Sequence, residues 1–176
     1  GNKRIAALIG IGLAGVSGSL GAPAAGPLPE LPAVAASFCE IPPVVDGDLS
    51  DACWQTAEKM TFHLVGGQTE PRSATAAWIT RSRSGLFFAF HCAEDAPGQL
   101  KTNVQSRDGG VANDDCVEIF LQPEGVSNYF HLIVNAANIQ EDRRCDRGYR
   151  DAAWDGVWES ASKVDSNAWT AEIYLP

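Results

Sequence analysis

Residues 86–92 set the strongest constraint on how this chain folds. Leu86, Phe88 and Phe90 fall on one side of an extended chain, and Phe87, Ala89 and His91 on the other, the period of two that a β-strand imposes. Segments 59–65, 74–81, 116–122, 128–135, 157–164 and 169–175 are strand-like as well. Ser82-Arg83-Ser84-Gly85 joins two of these segments as a hairpin signal. No long segment carries a helical period. Short strands at regular intervals, punctuated by Gly, Asp and Asn turns, predict an all-β fold, an antiparallel β-sandwich of jelly-roll or immunoglobulin-like type.

The 176 residues leave room for one such domain plus extra segments. Residues 1–25 read as a secretory signal peptide, with Lys3 and Arg4 as the basic region, an apolar run from Ile5 to Val16 and a small-residue cleavage site at Ala22-Pro23-Ala24. The run is glycine-rich and short of the roughly 20 apolar residues a comfortable membrane span needs. No stable membrane insertion is therefore expected after cleavage, although an uncleaved N-terminal anchor is the other reading. Residues 26–43, rich in Pro, Ala and Gly, read as a linker, and residues 44–176 as the folded domain. Export would place the protein in the periplasm, outside the cell or on its surface.

There the five cysteines, Cys39, Cys53, Cys92, Cys116 and Cys145, meet an oxidising environment that favours disulfides. The odd number leaves at least one free or joined between chains. Cys92 ends one expected strand and Cys116 begins another, which makes them the first pair to consider. Buried unpaired thiols are the alternative. No C-x-x-C spacing suggests zinc.

The chemistry-bearing residues gather in 106–122, SRDGGVANDDCVEIFLQ, where a polar loop runs into a strand. Arg107 and Asp108 can form hydrogen bonds to a ligand or pair with each other, and Asn113 adds an amide beside them. Asp95, Asp114 and Asp115, with Asp108, are the best hard-cation ligands, since calcium takes several loop oxygens; solvated acids and turn caps are the plainer reading. Glu118 lies on the strand itself. A carboxylate buried there needs a partner, so ligand contact and structural pairing both fit it. Asp46, Asp48 and Asp51 do not make an EF-hand, because the twelfth position is Ala57; a turn plus a helix N-cap fits better.

Of the five tryptophans, Trp54, Trp78, Trp158 and Trp169 adjoin apolar segments, whereas Trp154 sits in a polar loop as a candidate platform for a sugar ring. Arg143, Arg144, Arg147 and Arg150 surround Cys145 as a basic patch that would suit an acidic saccharide, unless it is simply a solvated loop. The formal charge of −9 excludes nucleic acid as a partner.

The ordered series of motifs resembles family 9 carbohydrate-binding modules. It runs through Val45-Asp46-Gly47-Asp48-Leu49-Ser50-Asp51-Ala52-Cys53-Trp54, then Leu86-Phe87-Phe88-Ala89-Phe90 before Asp95. It continues through Asp115-Cys116-Val117-Glu118-Ile119-Phe120-Leu121, Tyr129-Phe130 with Val134-Asn135, and Trp169-Thr170-Ala171-Glu172-Ile173-Tyr174-Leu175-Pro176. The resemblance implies a sandwich that binds sugar and often calcium, usually tethered to a polysaccharide-degrading enzyme, with Glu118 offered to sugar hydroxyls. Sugar-binding members clamp a ring between two tryptophans, one just before the D-x-V-E-I-F strand. Ala112 stands at that position. Members also continue past the W-T-x-E strand, so the domain is expected to be incomplete at its C-terminal edge.

The expectation is thus a secreted, non-catalytic carbohydrate-binding module, part of a larger polysaccharide-active protein, with calcium as its one candidate cofactor. Two alternatives come from other classes. One is a structural or cell-surface interaction sandwich; the other is a haem-binding electron-transfer domain of the same fold group, for which Met60 is the single methionine available. Catalytic motifs are missing: His63, His91 and His131 stand singly, and neither H-E-x-x-H nor G-x-S-x-G occurs.

Overall fold

In the computed structural model, which describes residues 4–11, 33–63 and 71–176, the alternating segments form two sheets packed face to face. In chain order the elements are β1 (Arg4–Ile11), β2 (Ser37–Phe38), helix α1 (Ala52–Thr56), β3 (Lys59–Thr61), β4 (Thr75–Arg81) and β5 (Leu86–Ala93). There follow β6 (Cys116–Pro123), β7 (Asn128–Asn135), β8 (Gln140–Asp146), β9 (Tyr149–Asp151), β10 (Glu159–Val164) and β11 (Ala168–Leu175). One sheet has the order β1-β6-β7-β8-β9, and the other β10-β11-β5-β4-β2, with β3 also on β4. All neighbours are antiparallel except β1 on β6 and β2 on β4. Among the described residues no helix is long and apolar enough to cross a membrane.

Val117, Ile119 and Leu121 of β6 and Leu132 and Val134 of β7 share one core with Phe88 and Phe90 of β5, Ile79 of β4 and Ile173 of β11. The other set on β5 is buried too. Phe87 and Ala89 pack with Cys39, Cys53 and Trp54 on the far side of the second sheet, which α1 and the segment before it cover. That second layer explains why β5 is apolar on both faces.

A buried carboxylate ties this cover down. Glu172 of β11 is 1% exposed. Its Oε2 accepts the amide N–H groups of Asp46 (3.0 Å) and Gly47 (2.8 Å), and its Oε1 accepts the indole N–H of Trp54 (2.8 Å). Gly47 has φ +82° and lies so close to the β10 backbone that a Cβ would sit 3.1 Å from the Lys163 nitrogen; glycine meets both demands. Asp51 stands at the N-cap of α1 but does not cap it. Its Oδ2 accepts the Val44 amide instead, a correction to the N-cap expectation.

Several other expectations shift. The strand expected over 59–65 ends at Thr61, and residues 64–65 lie outside the described residues. β8 and β9 run through the stretch read as a basic loop. None of the five cysteines forms a disulfide and all are buried, with Cys92 on β5 and Cys116 on β6 in opposite sheets. Arg4–Ile11, read as part of the export signal, runs parallel to β6; residues 12–32, from the signal and linker, lie outside the described residues. The last strand, β11, is interior, between β10 and β5.

Replacing Glu172 by Ala strands three N–H donors, and unfolding in urea is expected to show a loss of about 3 kcal/mol, since each unsatisfied buried group costs about 1–3. Burial lifts the Glu172 carboxyl above its ordinary range, outweighing the opposing hydrogen bonds from Trp54 and the Asp46 and Gly47 amides. The folded state therefore holds the proton more tightly than the unfolded chain. The resulting stabilisation is complete below the unfolded value, about 4.3, and is lost as pH rises through the raised folded value. The stability advantage of the wild type over Glu172→Gln should be larger at pH 4 than at pH 7; an equal difference at both would contradict this.

Candidate functional site

Alternation that sends Val117, Ile119 and Leu121 into the core sends Cys116, Glu118 and Phe120 to the opposite face of the first sheet. β7 adds Tyr129, His131 and Ile133 to that face, β8 adds Glu141, Arg143 and Cys145, and β9 adds Arg150. Register sorts them into rows: Glu118, Ile133 and Glu141; Phe120, His131 and Arg143; Tyr129, Cys145 and Arg150. The Phe120 and His131 rings stack at 4.0 Å between centroids and 16° between planes, and the Tyr129 ring lies 6.1 Å from Phe120. These three rings form a floor.

Polar groups surround the floor, already held in place. Glu118 and His131 are each 8% exposed, and their Oε2 and Nε2 are 2.7 Å apart. Glu141 accepts the Val111 amide through Oε2 and pairs with Arg143 through Oε1. Asp108, Gly110, Glu141, Arg143, Arg150 and Ala152 line an adjoining hollow of about 250 Å³.

Loop 106–115 closes one end of the face, where Val111 and Ala112 pack against Cys116 and Ile133. Its acids hold it there. Asp114 is fully buried, and its carboxylate accepts the amides of Asn103 (3.1 Å) and Val104 (2.9 Å) and the Asn135 side chain (3.0 Å). Asp115 accepts the Lys101 amide at 2.8 Å. Asp108, at φ +59°, donates its amide to Gln140 O and accepts the Asp142 amide, which continues the edge of β8 where β9 does not reach. The Asn113 amide side chain donates to Gly110 O, 3.0 Å away.

The structure therefore divides the residues expected to act together. Glu118 stands, buried, on the outer face, with Asp108 at its rim. Arg107 turns to the inner side, where it binds the Asp142 carboxylate, Gln140, Gly156 O (3.1 Å) and Asp155 (2.8 Å). Asp142, 1% exposed, also accepts the Trp158 indole N–H at 2.7 Å. Trp154 lies on the core side as well, 5.0 Å from the Phe130 ring, in an apolar groove of about 170 Å³ with Leu121, Leu132, Trp158 and Leu175. It is no platform beside Glu118.

Asp95 is exposed, and Asp114 is engaged with three N–H groups. Among the described residues no three His, Cys, Asp or Glu side chains come together to hold a metal ion. Phe120, His131, Tyr129 and Glu141 escaped the sequence reading as site residues, whereas Arg143 belongs to the basic patch it singled out. Pairing the strands Cys116–Pro123 and Asn128–Asn135 in register would have brought Phe120 to His131; nothing in the charged sequence of β8 signals its place.

The fold has solved counterparts. The chain shares it with a candidate carbohydrate-binding protein from Bacteroides uniformis, at 18% identity and a TM-score of 0.63, over 81% of this chain and 71% of that one. It also shares it with a family 9 carbohydrate-binding module from Caldicellulosiruptor kristjanssonii in complex with cellotriose, at 15% identity and a TM-score of 0.54, over 80% of this chain and 65% of the module. The same kind of module in complex with glucose gives 15% identity and a TM-score of 0.57, over 80% and 66%. No protein-family model and no curated protein sequence matches the chain.

Arg107→Ala leaves Asp142 buried without its cation, and removing one partner of a buried pair costs about 3–5 kcal/mol when both are fully buried. With Arg107 itself a third exposed, 34% by side chain, a loss of about 2–3 kcal/mol is expected in chemical denaturation. Altered Trp158 fluorescence should accompany it. Unchanged stability would show that the clamp is ornamental.

Proposed function

We propose that the outer face of β6, β7 and β8 binds a saccharide and performs no reaction on it. The observation that carries this reading is the stacked Phe120–His131 floor beside the preset Glu118 carboxylate and Arg143 guanidinium. A pyranose presents an apolar C–H face, which packs on aromatic rings, and a girdle of hydroxyls, which charged acceptors and donors bind strongly. Because each polar group is already fixed by a neighbour, little ordering remains to oppose binding. The shared fold supports the reading, since two of its solved examples hold cellotriose and glucose.

Ala112 supplies no ring above the floor, so the stacking surface is one-sided and the polar contacts carry more of the affinity. In this reading the module serves a larger polysaccharide-active protein outside the cytoplasm.

Isothermal titration of the full chain against neutral and acidic oligosaccharides tests the reading. Binding of at least one is expected, with Glu118→Gln weakening it ten-fold or more, about 1.4 kcal/mol. Silence across the whole panel from a folded protein would refute it.

A further inference from the structure

We propose that the saccharide is acidic, an oligosaccharide bearing a uronate, whose carboxylate is taken by Arg150 while a neighbouring sugar lies on the Phe120–His131 floor. The inference rests on the saccharide-binding reading above and adds the ligand class and the residue that selects it.

The acids at the site are already engaged. Glu141 holds Arg143 and the Val111 amide. Asp142 holds Arg107 and the Trp158 indole. Asp108 accepts the Asp142 amide and lies 3.7 Å from Arg107. Asp151, the residue after Arg150, is taken by Arg144 at 3.0 Å. Arg150 makes no ion pair among the described residues, yet it lines the hollow and is exposed. An unpaired guanidinium at the rim of a hollow whose acids are all engaged is a ready fork for a carboxylate, to which it can bond through two parallel N–H groups.

Its position is set by the sheet. Arg150 is paired with Cys145 across β8–β9, and Cys145 with Tyr129 across β7–β8. The guanidinium therefore belongs to the same face as the ring floor. Its charge reaches the Tyr129 hydroxyl, where it opposes the upward pull of the Cys145 hydrogen bond and of burial. Glu118 stands at the other corner, three strands across and four residues along, or roughly 20 Å at 4.7–4.9 Å per strand and 3.2–3.4 Å per residue. A sugar carboxylate at Arg150 is thus kept away from the Glu118 charge, and one pyranose cannot reach both. The ligand must be at least a disaccharide, with hydroxyls toward Glu118 and the acid toward β9. A neutral chain would leave Arg150 without a partner.

The test is a matched pair of ligands titrated into the full chain: a xylo-oligosaccharide and the same oligosaccharide carrying one glucuronate. The acidic ligand is expected to bind at least ten-fold more tightly. In Arg150→Ala that ratio should fall to about one, with the affinity for the neutral ligand unchanged, whereas Arg147→Ala, at the tip of the same hairpin, should keep the ratio. Equal or tighter binding of the neutral ligand would overturn the proposal and leave the saccharide reading standing. An acid preference that survives Arg150→Ala would also overturn it, by moving the carboxylate elsewhere. If neither these ligands nor any of the wider panel binds, the saccharide reading falls and takes the proposal with it.

Discussion

A carboxylate can be buried in this sandwich only where N–H donors or a cation meet it, and that requirement fixes how the non-strand segments attach. Removing an ionised carboxylate from water costs far more than one apolar contact returns, so each buried acid commits its neighbours to one arrangement. Glu172 commits the turn at Asp46 and Gly47 and the indole of Trp54. Asp114 commits the backbone at Asn103 and Val104 and the side chain of Asn135. Asp142 gathers Arg107, Trp158 and Gly156. The apolar core between the sheets supplies the main driving force, but it is indifferent to where loops sit. The acids are not.

The same requirement shapes the outer face. Glu118 and Glu141 lie in one row, and each is matched by a partner from the next row of its own sheet, His131 and Arg143. Such pairs are costly to bury and add little net stability over apolar residues of the same size. Here both carboxylates are buried on the outer face of the sheet, beside the stacked rings to which the proposed function assigns the ligand. Arg107 and Trp154, which looked equally functional in one dimension, have their polar or apolar requirements met inside the fold.

How much of this was legible follows from the same physics. Strands β4 to β7, β10 and β11 fall in segments that the sequence reading marks as strands, within a residue or two, and the alternation is clearest in β5 and β6. β8 is not among them: Gln140, Glu141, Asp142, Arg143 and Arg144 are polar on both faces, because Asp142 is satisfied from the inner side by Arg107 and Trp158, and Glu141 from the outer by Arg143. A strand whose burial is balanced by charge pairing has no hydrophobic signature. Glu118 was found because it sits in a recognisable strand; His131 was not weighed as its partner, since that needs the β6–β7 register. The loop acids Asp114 and Asp115 read as cation ligands because a sequence shows carboxylates but not the backbone amides that satisfy them.

The central claim is that the outer face of β6, β7 and β8, not the apolar groove at Trp154, meets the ligand. Backbone amide chemical shifts followed by NMR during saturation with the tightest-binding oligosaccharide test it most directly. The account predicts shifts centred on Glu118, Phe120, His131 and Arg143, with the amides of Trp154, Val157 and Leu175 unmoved. Shifts centred on Trp154 and its groove, with the Glu118 row silent, would contradict it.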